Sequence, residues 1–190
     1  MKGFLSSIER LCRVSIWLCG ALVLFMAFYI CVDVLMRKIF AVSIRGGDEF
    51  SGYVLAIMSG WGFVYAFLNK NHIRIDVIYL KTSLKFRSVL DVFSLLALIA
   101  FVFPLAYYSF GVLKTSWIRK SLSNTPLQTP LWIPQSLWFF GLLFFSFVLA
   151  VFLGLTLYNL SKGNLAEAYK LAGSTTLEEE IEDLKEGKVK

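Results

Sequence analysis

Four long apolar segments, separated by short charged stretches, dominate the pattern of this chain. A helix needs about 20 mostly apolar residues to cross the hydrocarbon core of a bilayer, which is about 30 Å thick. Each segment is long enough, and the second keeps 19 residues free of charge, which buried helices of soluble proteins seldom do. The pattern predicts an all-α integral membrane protein with four transmembrane helices, at residues 14–36, 50–68, 89–113 and 131–160.

The composition leaves little of the chain outside the membrane. Of the 190 residues, 57% are hydrophobic, and the mean hydropathy of +0.68 is far from that of a soluble domain. The first segment is longer than the apolar core of a secretion signal and no small-residue cleavage site follows it, so we expect it to remain as a span. No room is left for a soluble catalytic domain, and function must lie in the membrane helices, their loops or a partner protein.

Lysine and arginine in the flanks predict the orientation of the spans. Ten of them lie before the first span, in the second loop and just after the last span, whereas the other two loops carry six. Cytoplasmic flanks carry the excess of positive charge, so both termini are predicted to be cytoplasmic. Basic flanks beside anionic lipid also account for the net charge of +6 without any nucleic acid.

The two ends of the chain differ from the four-helix membrane domain at residues 14–160. Residues 1–13 place apolar side chains on one helical face and charged ones largely on the other. This pattern predicts a short amphipathic helix in the plane of the interface, with continuation of the first span as the alternative. Residues 161–190 are predicted to form a polar cytoplasmic tail.

Several residues near the helix ends and along the spans suggest structural contacts. Asp33 precedes Arg37 by four residues, so the two can pair on one helix face. Glu49 lies at the start of the second span, near the positive end of the helix dipole. Small residues at four-residue spacing let a neighbouring helix approach closely. Spans two and four carry such ladders, formed by Gly52, Ala56 and Gly60 and by Ser146, Ala150 and Gly154.

Candidate chemistry is sparse. His72, Arg74 and Asp76 form the one group that resembles a catalytic cluster, but a general base needs a positioned partner and an enclosed site. A role in anchoring the second loop is favoured. With one histidine, and with all three cysteines in or just before the first span, the sequence predicts no metal site and no cofactor.

The loop before the fourth span has a different character. Three prolines, at 126, 130 and 134, stiffen it and lower the entropy cost of ordering it on binding. Arg119 and Lys120 precede them and supply positive charge at its edge. Charges at the rim of an interface steer a partner into place, so these two residues are candidates for docking a soluble protein.

The order and spacing of four motifs resemble those of a known family. They are Asp-Val-Leu-Met-Arg-Lys-Ile-Phe at 33–40, Glu49, Gly-Trp-Gly-Phe at 60–63 and His-Ile-Arg-Ile-Asp at 72–76. Over residues 5–160 the chain resembles the small permease subunit of tripartite ATP-independent periplasmic (TRAP) transporters, the DctQ-like family. The resemblance implies structural or interfacial roles, rather than substrate binding, for Asp33, Arg37, Glu49, His72, Arg74 and Asp76.

The resemblance also implies partners and a location. In this family the small subunit lies in the bacterial inner membrane beside a large multi-span permease subunit that holds the sodium and substrate sites. A soluble periplasmic binding protein delivers an organic acid to the pair. The large subunit is expected to move in elevator fashion, and the small one to extend the static scaffold and to have no enzymatic activity.

Two other functions fit parts of the pattern. One is a small membrane enzyme that uses His72 and Asp76 at the cytoplasmic face, which a second acidic or histidine cluster would favour. The other is a stand-alone oligomeric channel, which polar residues at mid-membrane would favour. The sequence carries neither feature.

Overall fold

The described part of the chain contains four helices. A computed structural model describes residues 2–44, 46–69 and 84–164. Each helix is long and apolar enough to cross a membrane, which confirms the predicted all-α, four-span fold class. The helices are α1 (Lys2–Phe40), α2 (Gly47–Leu68), α3 (Leu84–Ile118) and α4 (Trp132–Ser161).

The first and third helices are longer than their apolar segments. At 39 residues, α1 is about 58 Å long, nearly twice the thickness of the hydrocarbon core. Residues 2–13 form its first turns without a break. Of the predicted tail at 161–190, only the first four residues are described.

Contacts within the chain group it into two compact units. The described residues of the first unit lie within 1–68 and 102–146, and those of the second within 69–101 and 147–190. Val64, Leu142 and Phe145 are fully buried in the first unit, and Leu95 and Leu149 in the second. Both connections discussed below belong to the first unit.

In the first unit, α1 packs along α2. Four of the buried residues of α1, Cys12, Cys19, Met26 and Asp33, follow one another at intervals of seven. A seven-residue repeat is the spacing of two helices that wind around each other with a left-handed supercoil. The three cysteines of the chain are free thiols, and two of them serve this seam as small buried residues.

Also in the first unit, α2 crosses the first half of α4 at close range. A Cβ on Gly60 would lie 3.0 Å from the carbonyl oxygen of Trp138. Beside it, the indole Nε1–H of Trp61 donates to the carbonyl oxygen of Leu137 at 3.1 Å. One turn further along α2, the ring of Phe63 lies 6.1 Å from that of Phe145, centroid to centroid. The crossing thus combines a small residue with aromatic packing on either side.

Candidate functional site

The connection between α3 and α4, residues 119–131 (the α3–α4 loop), is folded by its own backbone hydrogen bonds. The N–H of Ser123 donates to the carbonyl of Thr129, and that of Leu131 donates to the carbonyl of Ser121, both at 3.0 Å. At the tip, the N–H of Gln128 donates to the carbonyl of Thr125 at 3.0 Å. Pro126 occupies the second position of this turn, where its fixed φ is favourable. The loop is therefore a short, tightly bonded hairpin.

Two non-glycine residues of the loop have left-handed backbone conformations. Lys120 and Gln128 both have φ of +48°. Lys120 follows the last turn of α3, where the N–H of Ser121 donates to the carbonyl of Ser116 at 3.0 Å and closes the helix end. A residue with a Cβ is strained in this region by about 1–2 kcal/mol relative to its usual conformations. The backbone hydrogen bonds of the loop and its side-chain contacts must together offset this strain.

Glu49, in the first turn of α2, supplies such a contact. Its side chain is buried, and its Oε2 accepts a hydrogen bond from the hydroxyl of Thr125 in the α3–α4 loop. Its Oε1 accepts from the Tyr53 hydroxyl at 2.7 Å. The hydroxyls of Ser123 and Thr129 of the loop lie near the same carboxylate. We call these five residues the Glu49 cluster; in it, hydroxyl groups of the loop surround a carboxylate of α2.

An apolar contact lies next to this cluster. Gly46, just before α2, has φ of +102°, a conformation that L-residues avoid. A Cβ at Gly46 would overlap Cδ1 of Leu127 at the tip of the α3–α4 loop. The glycine therefore meets two requirements: it makes the turn into α2 and leaves space for the loop to close over that turn.

A second carboxylate, Asp33, holds the connection between α1 and α2. It is buried about two turns before the end of α1. Its Oδ2 accepts from Nη2 of Arg37 at 2.6 Å, as the four-residue spacing predicted. Its Oδ1 accepts from the backbone N–H of Ile44 at 2.5 Å and from the hydroxyl of Ser43 at 3.1 Å. One side chain thus fixes the path of the chain as it leaves α1.

The chain matches a known protein family. Residues 26–159 match the family described as "Tripartite ATP-independent periplasmic transporters, DctQ component". The chain belongs to this family. Searches among curated proteins and among solved structures found no match. As a DctQ protein it is the small permease component of a TRAP transporter, an inner-membrane component of a tripartite system.

The predicted site residues of this DctQ protein have different outcomes. Asp33, Arg37 and Glu49 lie in the two clusters described above. Arg119 and Lys120 are exposed at the start of the α3–α4 loop. The remaining motif residues, His72, Arg74 and Asp76, lie outside the described residues.

The two ladders of small residues are used unevenly. Gly60 lies against α4, whereas Cβ atoms on Gly52 and Gly154 would meet no atom within 4 Å. Ala150 is exposed, and the hydroxyl of Ser146 donates to the carbonyl of Leu142 in its own helix at 2.9 Å. The α4 glycine at the crossing is Gly141, which the ladder did not include.

Sequence reasoning missed the hydroxyl side of the Glu49 cluster. Thr125 is 76 residues from Glu49, and serine and threonine in a proline-containing loop are common enough to give no signal. Tyr53, by contrast, lies four residues after Glu49 on the same helix, a spacing at which side chains meet. In the described part of the chain, no group of three histidine, cysteine or acidic residues could hold a metal ion. The arrangement is suited to fixing loops rather than to chemistry.

Proposed function

We propose that this chain is the static scaffold subunit of a sodium-coupled transporter for an organic acid. It would pair with a large elevator-type permease subunit and receive a soluble periplasmic binding protein that carries the solute. Membership in the DctQ family supports the tripartite arrangement. The sodium coupling, the organic acid and the elevator motion are the parts that this proposal adds.

The positions of the buried acidic side chains carry the proposal. Sodium and solute sites of transporters lie near the membrane midplane and need polar groups there. In the described residues, the buried acids are Asp33, Glu49 and Asp91, and each lies within about two turns of a helix end. Asp33 and Glu49 are engaged in holding the two connections. We therefore assign solute binding and sodium coupling to the large subunit, and a supporting role to this chain.

The α3–α4 loop is the proposed contact for the binding protein. Arg119 and Lys120 are exposed at its start, and Leu122 and Leu127 are exposed on it. Apolar side chains with cations at the edge favour a partner surface with an acidic rim. This proposal includes the predicted topology, which puts the loop on the periplasmic side.

Reconstitution tests the proposal. Liposomes that hold only this chain should show no uptake of any of a panel of radiolabelled organic acids under an inward sodium gradient. Liposomes that also contain the large subunit, supplied with the binding protein, should take up at least one of them. Uptake by the chain alone would refute the scaffold role.

Two substitutions examine the loop contact in the complete system. Arg119→Glu should weaken docking, more strongly at low salt, because it reverses a rim charge. Lys120→Gly removes a charge at a left-handed position where glycine is favoured, so the loop should keep its shape. Arg10→Glu, an exposed charge reversal in the first turns of α1, is the matched control and should leave docking unchanged.

A further inference from the structure

We propose that Glu49 is a positioning residue for the docking of the binding protein, because its buried carboxylate holds the α3–α4 loop in the shape that the partner contacts. This inference rests on the proposed function, since it takes the binding protein as the partner. Glu49 lies on α2, outside the proposed contact surface on the α3–α4 loop, and it acts on that surface through Thr125.

The first step is that the backbone of the α3–α4 loop is strained at two residues. Lys120 and Gln128 occupy left-handed conformations that glycine would adopt at no steric cost. A loop under such strain is kept in one conformation only when its surroundings over-determine it. Its backbone hydrogen bonds join residues within the loop or attach it to the ends of α3 and α4, and none of those given for the described residues attaches it to α2.

The second step is that the Glu49 cluster provides this attachment. Glu49 is 8% exposed, so its carboxylate depends on protein donors rather than on water. Hydrogen bonds to an ionised group are roughly twice as strong as those between neutral groups. Thr125 bonds the carboxylate directly and lies 3.1 Å, oxygen to oxygen, from the hydroxyl of Ser123 on the same arm of the hairpin. The backbone N–H of Ser123 in turn donates to the carbonyl of Thr129 and joins this arm to the other.

The third step concerns the side chains that the fixed loop exposes to a partner. Leu122 is 48% exposed and Leu127 is 43% exposed, whereas the hydroxyl residues of the same loop, Ser123, Thr125 and Thr129, are half-buried. Arg119 and Lys120 are exposed beside them. The inward turn of the hydroxyls thus leaves apolar and cationic side chains on the outside. A partner that meets a preordered surface does not lose affinity to the cost of ordering it.

The experiment uses the complex of this chain with the large subunit in nanodiscs, in three forms: wild type, Thr125→Val and Thr125→Ser. Valine keeps the shape of threonine and removes the hydroxyl, whereas serine keeps the hydroxyl. Two quantities are measured for each form: hydrogen exchange of the amides in residues 121–131, and the dissociation constant of the purified binding protein of the same transporter.

We expect Thr125→Val to accelerate exchange in the loop and to raise the dissociation constant about tenfold, as the loss of one charge-assisted hydrogen bond would do. Thr125→Ser should stay within about twofold of wild type. Thr129→Val, which also removes a hydroxyl near the carboxylate, carries the same comparison if Thr125→Val does not assemble.

Each other outcome has a distinct meaning. Unchanged exchange in Thr125→Val would show that the cluster does not hold the loop, and it would overturn the inference whatever the partner is. Faster exchange with an unchanged dissociation constant would show that the shape of the loop is irrelevant to docking, and it would overturn the inference as well. If the wild-type complex did not bind the protein at all, the proposed function itself would fail.

Discussion

Gly60 and Gly141 meet backbone to backbone where α2 crosses α4. A Cβ on Gly141 would lie 2.9 Å from the carbonyl carbon of Gly60 and 2.9 Å from Cδ1 of Trp61. Distances below 3.0 Å are closer than such atoms pack, and the obstacle here is backbone on one side and an indole ring on the other. Association of helices in a bilayer relies on close packing of this kind, because lipid tails already satisfy apolar side chains.

The first prediction concerns this crossing. Gly141→Ala should destabilise the protein by about 1–3 kcal/mol, because the added methyl group forces α2 and α4 apart. Gly154→Ala in the same helix is the matched control, since a Cβ there meets nothing within 4 Å. Thermal unfolding in detergent compares the two, and equal midpoints would show that the crossing is not close. Gly60→Leu should be more severe and should reduce accumulation or co-purification with the large subunit.

The second prediction separates the partners of Asp33 at the connection between α1 and α2. Asp33→Ala removes the acceptor of three donors, including the backbone N–H of Ile44. Arg37→Ala removes one donor, whose side chain is 63% exposed. Arg37→Ala leaves the carboxylate two other donors, whereas Asp33→Ala leaves the N–H of Ile44 without its acceptor, so the loss of thermal stability should be larger for Asp33→Ala. Similar losses for the two variants would mean that the ion pair, not the backbone contact, holds the connection.

The third prediction is the topology. Because the flanks assigned to the inside carry more lysine and arginine, both termini should face the cytoplasm. A reporter fused after Lys162 should be active only if it functions in the cytoplasm. Fusions within the α3–α4 loop should show the reverse pattern. Activity of a periplasmic reporter after Lys162 would contradict the orientation and would place the loop away from the binding protein.

The fourth prediction concerns His72, in the segment between α2 and α3. If it anchors that segment, His72→Ala should lower the amount of assembled complex while leaving transport per complex close to wild type. Uptake normalised to co-purified large subunit makes this distinction. Loss of transport with normal assembly would instead assign His72 a direct part in the mechanism.

The helices were predictable because the bilayer imposes a length on apolar segments. The predicted fourth span, 131–160, is one residue from α4 (Trp132–Ser161) at each end. The predicted first span, 14–36, is much shorter than α1 (Lys2–Phe40). An apolar segment ends where charged residues begin, but helical hydrogen bonding continues through polar residues such as Glu9 and Arg10. Hydropathy therefore locates spans well and helix ends poorly.

Among the contacts of Asp33 and Glu49, only those between residues close in sequence on one helix were predictable. The pair of Asp33 and Arg37 follows from helix geometry, because residues four apart lie on one face. The bond from Ile44 to Asp33 depends on how the chain turns after α1, and that from Thr125 to Glu49 joins residues 76 positions apart. Neither contact leaves a periodic pattern. The same holds for Gly141, which is identified as a contact only when Gly60 is known to face it.

The buried residues of α1 recur every seven positions, so its contact with α2 is sensitive to insertions, an effect that single substitutions do not reveal. Inserting one residue between Cys19 and Met26 would rotate every later side chain by about 100° around the helix axis. Asp33 would keep its bond to Ile44, because both follow the insertion, but Cys12 and Cys19 would turn away from α2 although no contact residue had been altered. An insertion of seven residues would restore the phase and lengthen the helix by about 10 Å. Length in this helix can therefore vary in whole heptads, whereas its phase relative to α2 cannot.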